Sequence, residues 1–141
     1  MHRLEDQPVH LGLGATAVAE PHFTGMEWYE GYALRHGADG HEGRLVCVHR
    51  FEADWPMWEM HPHGEEVVVC LSGTMTLYQE MPDGSRQTAV LAAGDYAINP
   101  RGCWHTADVA EPATALFVTA GAGTEHRLRQ APDSPARFSL R

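Results

Sequence analysis

Apolar and polar positions along this chain alternate in short runs, and no run carries a sustained helical stripe. From Met26 onward the strand-like segments are "MEWYEGYAL" (26–34), "RLVCVHRFE" (44–52), "MWEMH" (57–61), "EEVVVCLS" (65–72) and "TMTLYQEM" (74–81). "RQTAVLA" (86–92), "DYAIN" (95–99), "WHTADV" (104–109) and "ATALFVTA" (113–120) complete the set. Turn-forming residues separate them, with Asp83-Gly84 the strongest hairpin signal. Short β-rich segments joined by tight turns predict an all-β, antiparallel sandwich or barrel. Residues 1–25 have no clean period and read as an irregular or strand-like extension, residues 26–126 as the β-domain, and residues 127–141 as a tail.

A length of 141 residues suits one domain with one core. Net charge is −9, and the ten arginines, with no lysine beside them, are scattered. No basic stripe is available to track a phosphate backbone, which argues against nucleic-acid binding. No apolar stretch approaches the roughly 18–20 residues of a membrane span. The acidic start, "MHRLEDQPVH", lacks a signal-peptide core, so the expected location is cytoplasmic. Cys47, Cys70 and Cys103 are too widely spaced for a metal or disulfide framework and read as small buried hydrophobes.

The chemistry concentrates in "MHPHGEE". Side chains at i and i+2 of a strand share a face, so a strand through this stretch points Glu59, His61 and His63 the same way. Two neighbouring imidazoles can hold one metal. Glu65 and Glu66 come next; alternation favours Glu65, while a bend at Gly64 brings Glu66 inward, and parity alone leaves both open. Glu59 is a candidate acid/base or a partner that orients an imidazole. A second cluster lies in "GDYAINPRGCWHTADV" (94–109), where a turn through Pro100 and Gly102 leads to His105. The isolated His2, His10, His22, His36 and His41 read as surface residues, as do Arg50 and Arg101, and the aromatics Trp58, Tyr78, Tyr96, Trp104 and Phe117 as packing.

These two segments resemble the paired motifs of the cupin superfamily, small bacterial single-domain members in particular. The second motif, Gly-x5-Pro-x-Gly-x2-His-x3-Asn, matches at Gly94, Pro100, Gly102 and His105, with Val109 in place of the asparagine. The first, Gly-x5-His-x-His-x3or4-Glu-x6-Gly, matches at His61, His63, Glu66 and Gly73. Trp55 stands at its leading glycine, and only two residues separate His63 from Glu66. The resemblance implies a jelly-roll β-barrel holding one divalent transition metal (Fe, Mn, Ni, Zn or Cu) through His61, His63, Glu66 and His105, with Glu65 and Glu59 the alternative carboxylates. It further implies a homodimer and a small-molecule substrate or ligand. The expected function is a metalloenzyme: a dioxygenase with iron, or an isomerase, cyclase or decarboxylase with manganese, nickel or zinc. The alternative is a non-catalytic small-molecule sensor.

Overall fold

The computed structural model describes residues 1–129. A hairpin of β1 (Val9–Gly12) and β2 (Thr16–Ala19) opens the chain, followed by helix α1 (Trp28–His36). Then come β3 (Arg44–Phe51), β4 (Met57–Met60), β5 (Glu66–Ser72), β6 (Thr74–Glu80) and β7 (Arg86–Ala92). They are followed by β8 (Tyr96–Asn99), β9 (Trp104–Asp108), β10 (Ala113–Thr119) and β11 (Glu125–Leu128). Every strand expected between residues 44 and 120 is present. The strands form two antiparallel sheets, ordered β2-β1-β3-β10-β5-β8 and β11-β4-β9-β6-β7. No strand pair joins the sheets among the described residues, so the expected barrel is instead an open, two-sheet jelly roll.

Period-two alternation places the core between the sheets. Cys47, Val68, Cys70, Met75, Leu77 and Phe117 project inward and are buried, while their odd-numbered or even-numbered neighbours face out. All three cysteines are buried and unpaired, as expected. The hairpin between β6 and β7 turns at Asp83-Gly84, where Gly84 takes φ +89°. No helix among the described residues is long and apolar enough to cross a membrane.

Three sequence expectations need correction or a new boundary. Residues 26–34, read as a strand, contain most of α1 instead. Their aromatic residues raised the strand signal, yet Trp28 stacks on Tyr32 at 5.6 Å and Tyr32 contacts His36 at 5.1 Å, which is the i,i+4 spacing of a helix. His10, read as a surface residue, is only 2% exposed. It stacks on His36 at 3.7 Å, meets the Tyr32 hydroxyl through Nδ1 at 2.7 Å and pairs with Asp39. Buried Glu20 accepts from Arg35 at 2.8 Å and lies 2.7 Å from His36, so charged pairs fasten α1 to the N-terminal hairpin. The tail expected from residue 127 begins inside β11, and residues 130–141 lie outside the described residues.

Gly73 links β5 to β6 at φ +74°, and a Cβ there would stand 2.4 Å from the Pro112 carbonyl oxygen and 2.9 Å from Ala113 Cα. Gly84 has a similar φ but open space around it. Gly84→Ala should therefore cost about 1–2 kcal/mol of backbone strain. Gly73→Ala should cost about 2–5 kcal/mol, strain and overpacking combined. Urea denaturation of the two variants checks this; equal losses would refute the steric account of Gly73.

Candidate metal centre

Two rows of side chains face one another across the interior. On one sheet, pairing aligns Thr119 with Glu66 and Glu66 with Asn99. On the other it aligns His126 with Glu59, Glu59 with His105, and His105 with Gln79. Gln79 bridges the sheets, donating to Asn99 Oδ1 at 2.7 Å and to the Ile98 carbonyl at 2.8 Å. Between the rows, Glu59, His61, Glu66 and His105 each present one donor atom, all within 4.8 Å of one another.

The four donors alternate nitrogen and oxygen. Nε2 of His61 lies 3.3 Å from Glu59 Oε1 and 3.3 Å from Glu66 Oε2. Nε2 of His105 lies 3.7 Å from Glu59 Oε1 and 3.2 Å from Glu66 Oε1. Both nitrogens are buried, and neither completes a well-aligned hydrogen bond among the described residues. The opposite edges of the rings are anchored. Thr124 Oγ1 donates to the Gly121 carbonyl at 2.7 Å, so its oxygen accepts from His61 Nδ1–H at 2.8 Å. His105 Nδ1 faces the Cys103 carbonyl at 3.3 Å, an acceptor only. Each Nδ1 thus keeps a proton, and each Nε2 turns toward its partners as a metal ligand requires. Glu66 is held at both oxygens: Asn99 Nδ2 donates to Oε1 at 2.9 Å and Thr119 Oγ1 to Oε2 at 2.6 Å.

This set fits a transition metal. At bonds of about 2.1 Å, neighbouring ligand atoms sit about 3.0 Å apart and opposite ones about 4.2 Å, so closure needs shifts of only a few tenths of an ångström. Two imidazoles and two carboxylates make a mixed nitrogen/oxygen set suited to first-row divalent ions.

His63 is not in this group. The strand ends at Met60, and Pro62, His63 and Gly64 form a turn, so the i,i+2 rule does not carry past His61. His63 is exposed and stacks on His41 at 3.9 Å. The turn packs tightly, since a Cβ on Gly64 would lie 2.5 Å from the Ala120 Cβ, and it delivers Glu66 inward at the start of β5 while Glu65 stays exposed. Glu59 takes the place expected of His63. The short interval from His63 to Glu66 was the sequence signal: four residues separate His61 from Glu66, and six separate Glu66 from Gly73. Glu59-Met60-His61 therefore stands where the motif has His-x-His. Asn99, Thr119 and Gln79 were not singled out from sequence, although each is a polar residue on an inward position of an otherwise apolar strand. Cys103 serves the site through its carbonyl; its buried thiol faces the Trp104 carbonyl at 3.3 Å.

Burial by itself pushes the two carboxylates up and the two imidazoles down, but their mutual attraction outweighs it. His61 is raised to about 9 and His105 to about 10, while Glu66 is lowered to about 2 and Glu59 falls well below the usual carboxylate range. The imidazolium contribution to stability is full below the unfolded histidine pKa and is lost as pH rises through about 9–10. The Glu66 contribution is full above the unfolded carboxylate pKa and is lost as pH falls toward about 2. The metal-free protein should accordingly be most stable at mildly acid pH, between about 4.5 and 6.5, and weaken steadily into alkali. A metal must displace the Nε2 protons, so uptake at pH 7 should release close to two protons per ion; calorimetry in buffers of different ionisation enthalpy reads that number, and zero release would contradict this charge state.

A family model described as "Cupin domain" matches residues 44–121, which span β3 to β10 and carry all four residues of the centre. No curated protein matches the chain. Among solved structures, an oxalate oxidase is 16% identical, with a TM-score of 0.51 over 57% of this chain and 44% of its own. An oxalate oxidase in complex with the substrate analogue glycolate gives 15% identity and a TM-score of 0.52 over 58% of this chain and 45% of its own. A hydroquinone 1,2-dioxygenase from Sphingomonas sp. TTNP3 gives 18% identity and a TM-score of 0.47, covering 52% of this chain and 57% of that one. This chain thus spans less than half the length of the two oxalate oxidases, and at such identities the likeness is one of fold. On the family match across β3 to β10, the chain belongs to the cupin domain family.

Proposed function

We propose that the protein is a metal-dependent enzyme acting on a small, oxygen-bearing substrate, with Glu59, His61, Glu66 and His105 as the metal ligands. The observation that carries this reading is the pair of buried, unsatisfied Nε2 atoms converging with two carboxylates, each ring anchored from behind. With the Nε2 protons displaced, four donor atoms face one another within 4.8 Å, which is what a divalent ion requires. A divalent iron or manganese would supply Lewis acidity, and iron also dioxygen chemistry, with two of six coordination positions left for substrate.

The chain's own residues set what the site accepts. His105 and Glu66 lie at the dry end, 0% and 2% exposed. Glu59 is part-exposed at the other end, where its Oε2 lies 3.0 Å from His126 Nε2. That carboxylate ties His126 to the outer end of the centre while Oε1 stays directed at the two imidazoles. Trp55 packs against the His105 ring, and Phe51 and Phe117 pack on Trp55 in turn, so aromatic rings back this side of the centre. Two grooves of about 500 Å³ lie elsewhere, one lined by Asp54, Thr74, Thr76 and Asp108, the other by residues 1–5 and the outer face of the six-stranded sheet.

The test is metal content by mass spectrometry on untagged protein purified anaerobically without chelator. About one iron or manganese per chain is expected. His61→Ala, His105→Ala and Glu66→Gln should each lose it, whereas His63→Ala should keep it. Retention in the first three, or loss in the last, would overturn the ligand assignment; no uptake even after reconstitution would overturn the enzyme reading.

A further inference from the structure

One buried donor in the interior has no role in the centre as described. Trp55 enters from the segment between β3 and β4, where its backbone N–H donates to the Ala107 carbonyl at 3.0 Å. Its indole lies edge-on to the His105 ring, with centroids 6.2 Å apart and planes at 67°. On its other sides it packs against Phe51 at 5.3 Å and Phe117 at 6.1 Å. The indole Nε1–H is buried and meets no acceptor among the described residues. Trp58 also has a buried indole N–H without an acceptor there, but alternation along β4 turns it away from the face of Glu59, and the Arg127 guanidinium covers its ring at 5.3 Å. Of the two indoles, that of Trp55 is the one that packs against an imidazole of the four-residue centre.

An unpaired buried donor loses its water and gains nothing in return, and a phenylalanine would pack there without that loss. The donor becomes favourable when a guest brings an acceptor. Atoms that bind a metal beside His105 are oxygen or other electron-rich acceptors, and the indole packs against that same ring. We propose that Trp55 is a specificity-determining residue, whose indole N–H donates to an oxygen of a small carboxylate bound at the centre beside His105. This deepens the metal-centre reading above and rests on it.

The probe is glycolate, and the metal is cadmium(II), which is diamagnetic and accepts six ligands. Wild type and Trp55→Phe are loaded with cadmium, their metal stoichiometry is measured, and glycolate is titrated calorimetrically. The expected result is unchanged metal content with glycolate affinity about tenfold weaker in the variant, the loss of one hydrogen bond to a charged group. The metal-free variant should also melt no lower than wild type, because the residue it lacks is an unsatisfied donor. A second readout needs no variant: in wild-type protein, the indole N–H resonance with Overhauser contacts to Phe51 and Phe117 should move downfield as glycolate is added. Equal affinity in the two loaded proteins, no glycolate binding by loaded wild type, or an unmoved indole resonance would each overturn this inference alone. Failure of wild type to take up cadmium or any transition metal would overturn the underlying reading with it.

Discussion

The structure turns on keeping two carboxylates and two imidazoles together, with His61, Glu66 and His105 in a place that water scarcely reaches. Isolated, each charge would cost several kcal/mol to bury. Set in alternation, each is faced by groups of opposite sign, and the ionised forms persist through ordinary solution pH. The arrangement survives only if no member can turn aside, which is why so many surrounding polar groups are committed to holding them. Thr119 and Asn99 fix Glu66, Thr124 and the Cys103 carbonyl fix the imidazoles, and His126 braces Glu59.

The jelly roll supplies that rigidity through strand register. A cross-strand row is a set of side chains held at sheet spacing by backbone hydrogen bonds, so three neighbouring strands deliver Thr119, Glu66 and Asn99 together without any loop having to be ordered. The opposing row does the same for Glu59, His105 and Gln79. Gln79 closes the gap between the sheets. His61 alone comes from outside a strand, and it has its own anchor in Thr124.

Much of this was legible in the sequence, because alternation reports faces directly. The strands from β3 to β10 follow from apolar period and turn residues, and His61, Glu66 and His105 follow from motif spacing. The misses have physical causes. Trp28, Tyr29 and Tyr32 favour strands by residue type, and only their i,i+4 contacts reveal α1. His63 was placed by extending strand parity through Pro62, where the strand has already ended. His10 has neighbours in space, Tyr32, His36 and Asp39, that are remote in sequence, so nothing local announced its burial. The exchange of partners across a sheet, as between Glu66 and Asn99, is likewise set by register, which a single sequence states only in part.

With Glu59 rather than a third imidazole in the set, a bound ion would differ in redox terms. Three imidazoles and one carboxylate would leave a divalent ion with a net positive site. Two carboxylates cancel its charge. A redox-active ion held here would feel both anions in a low-dielectric interior, which would favour its oxidised state and lower its reduction potential relative to a site with a third histidine. The same cancellation removes the long-range pull on an anionic guest. Selection of such a guest would then fall to short-range donors rather than to charge.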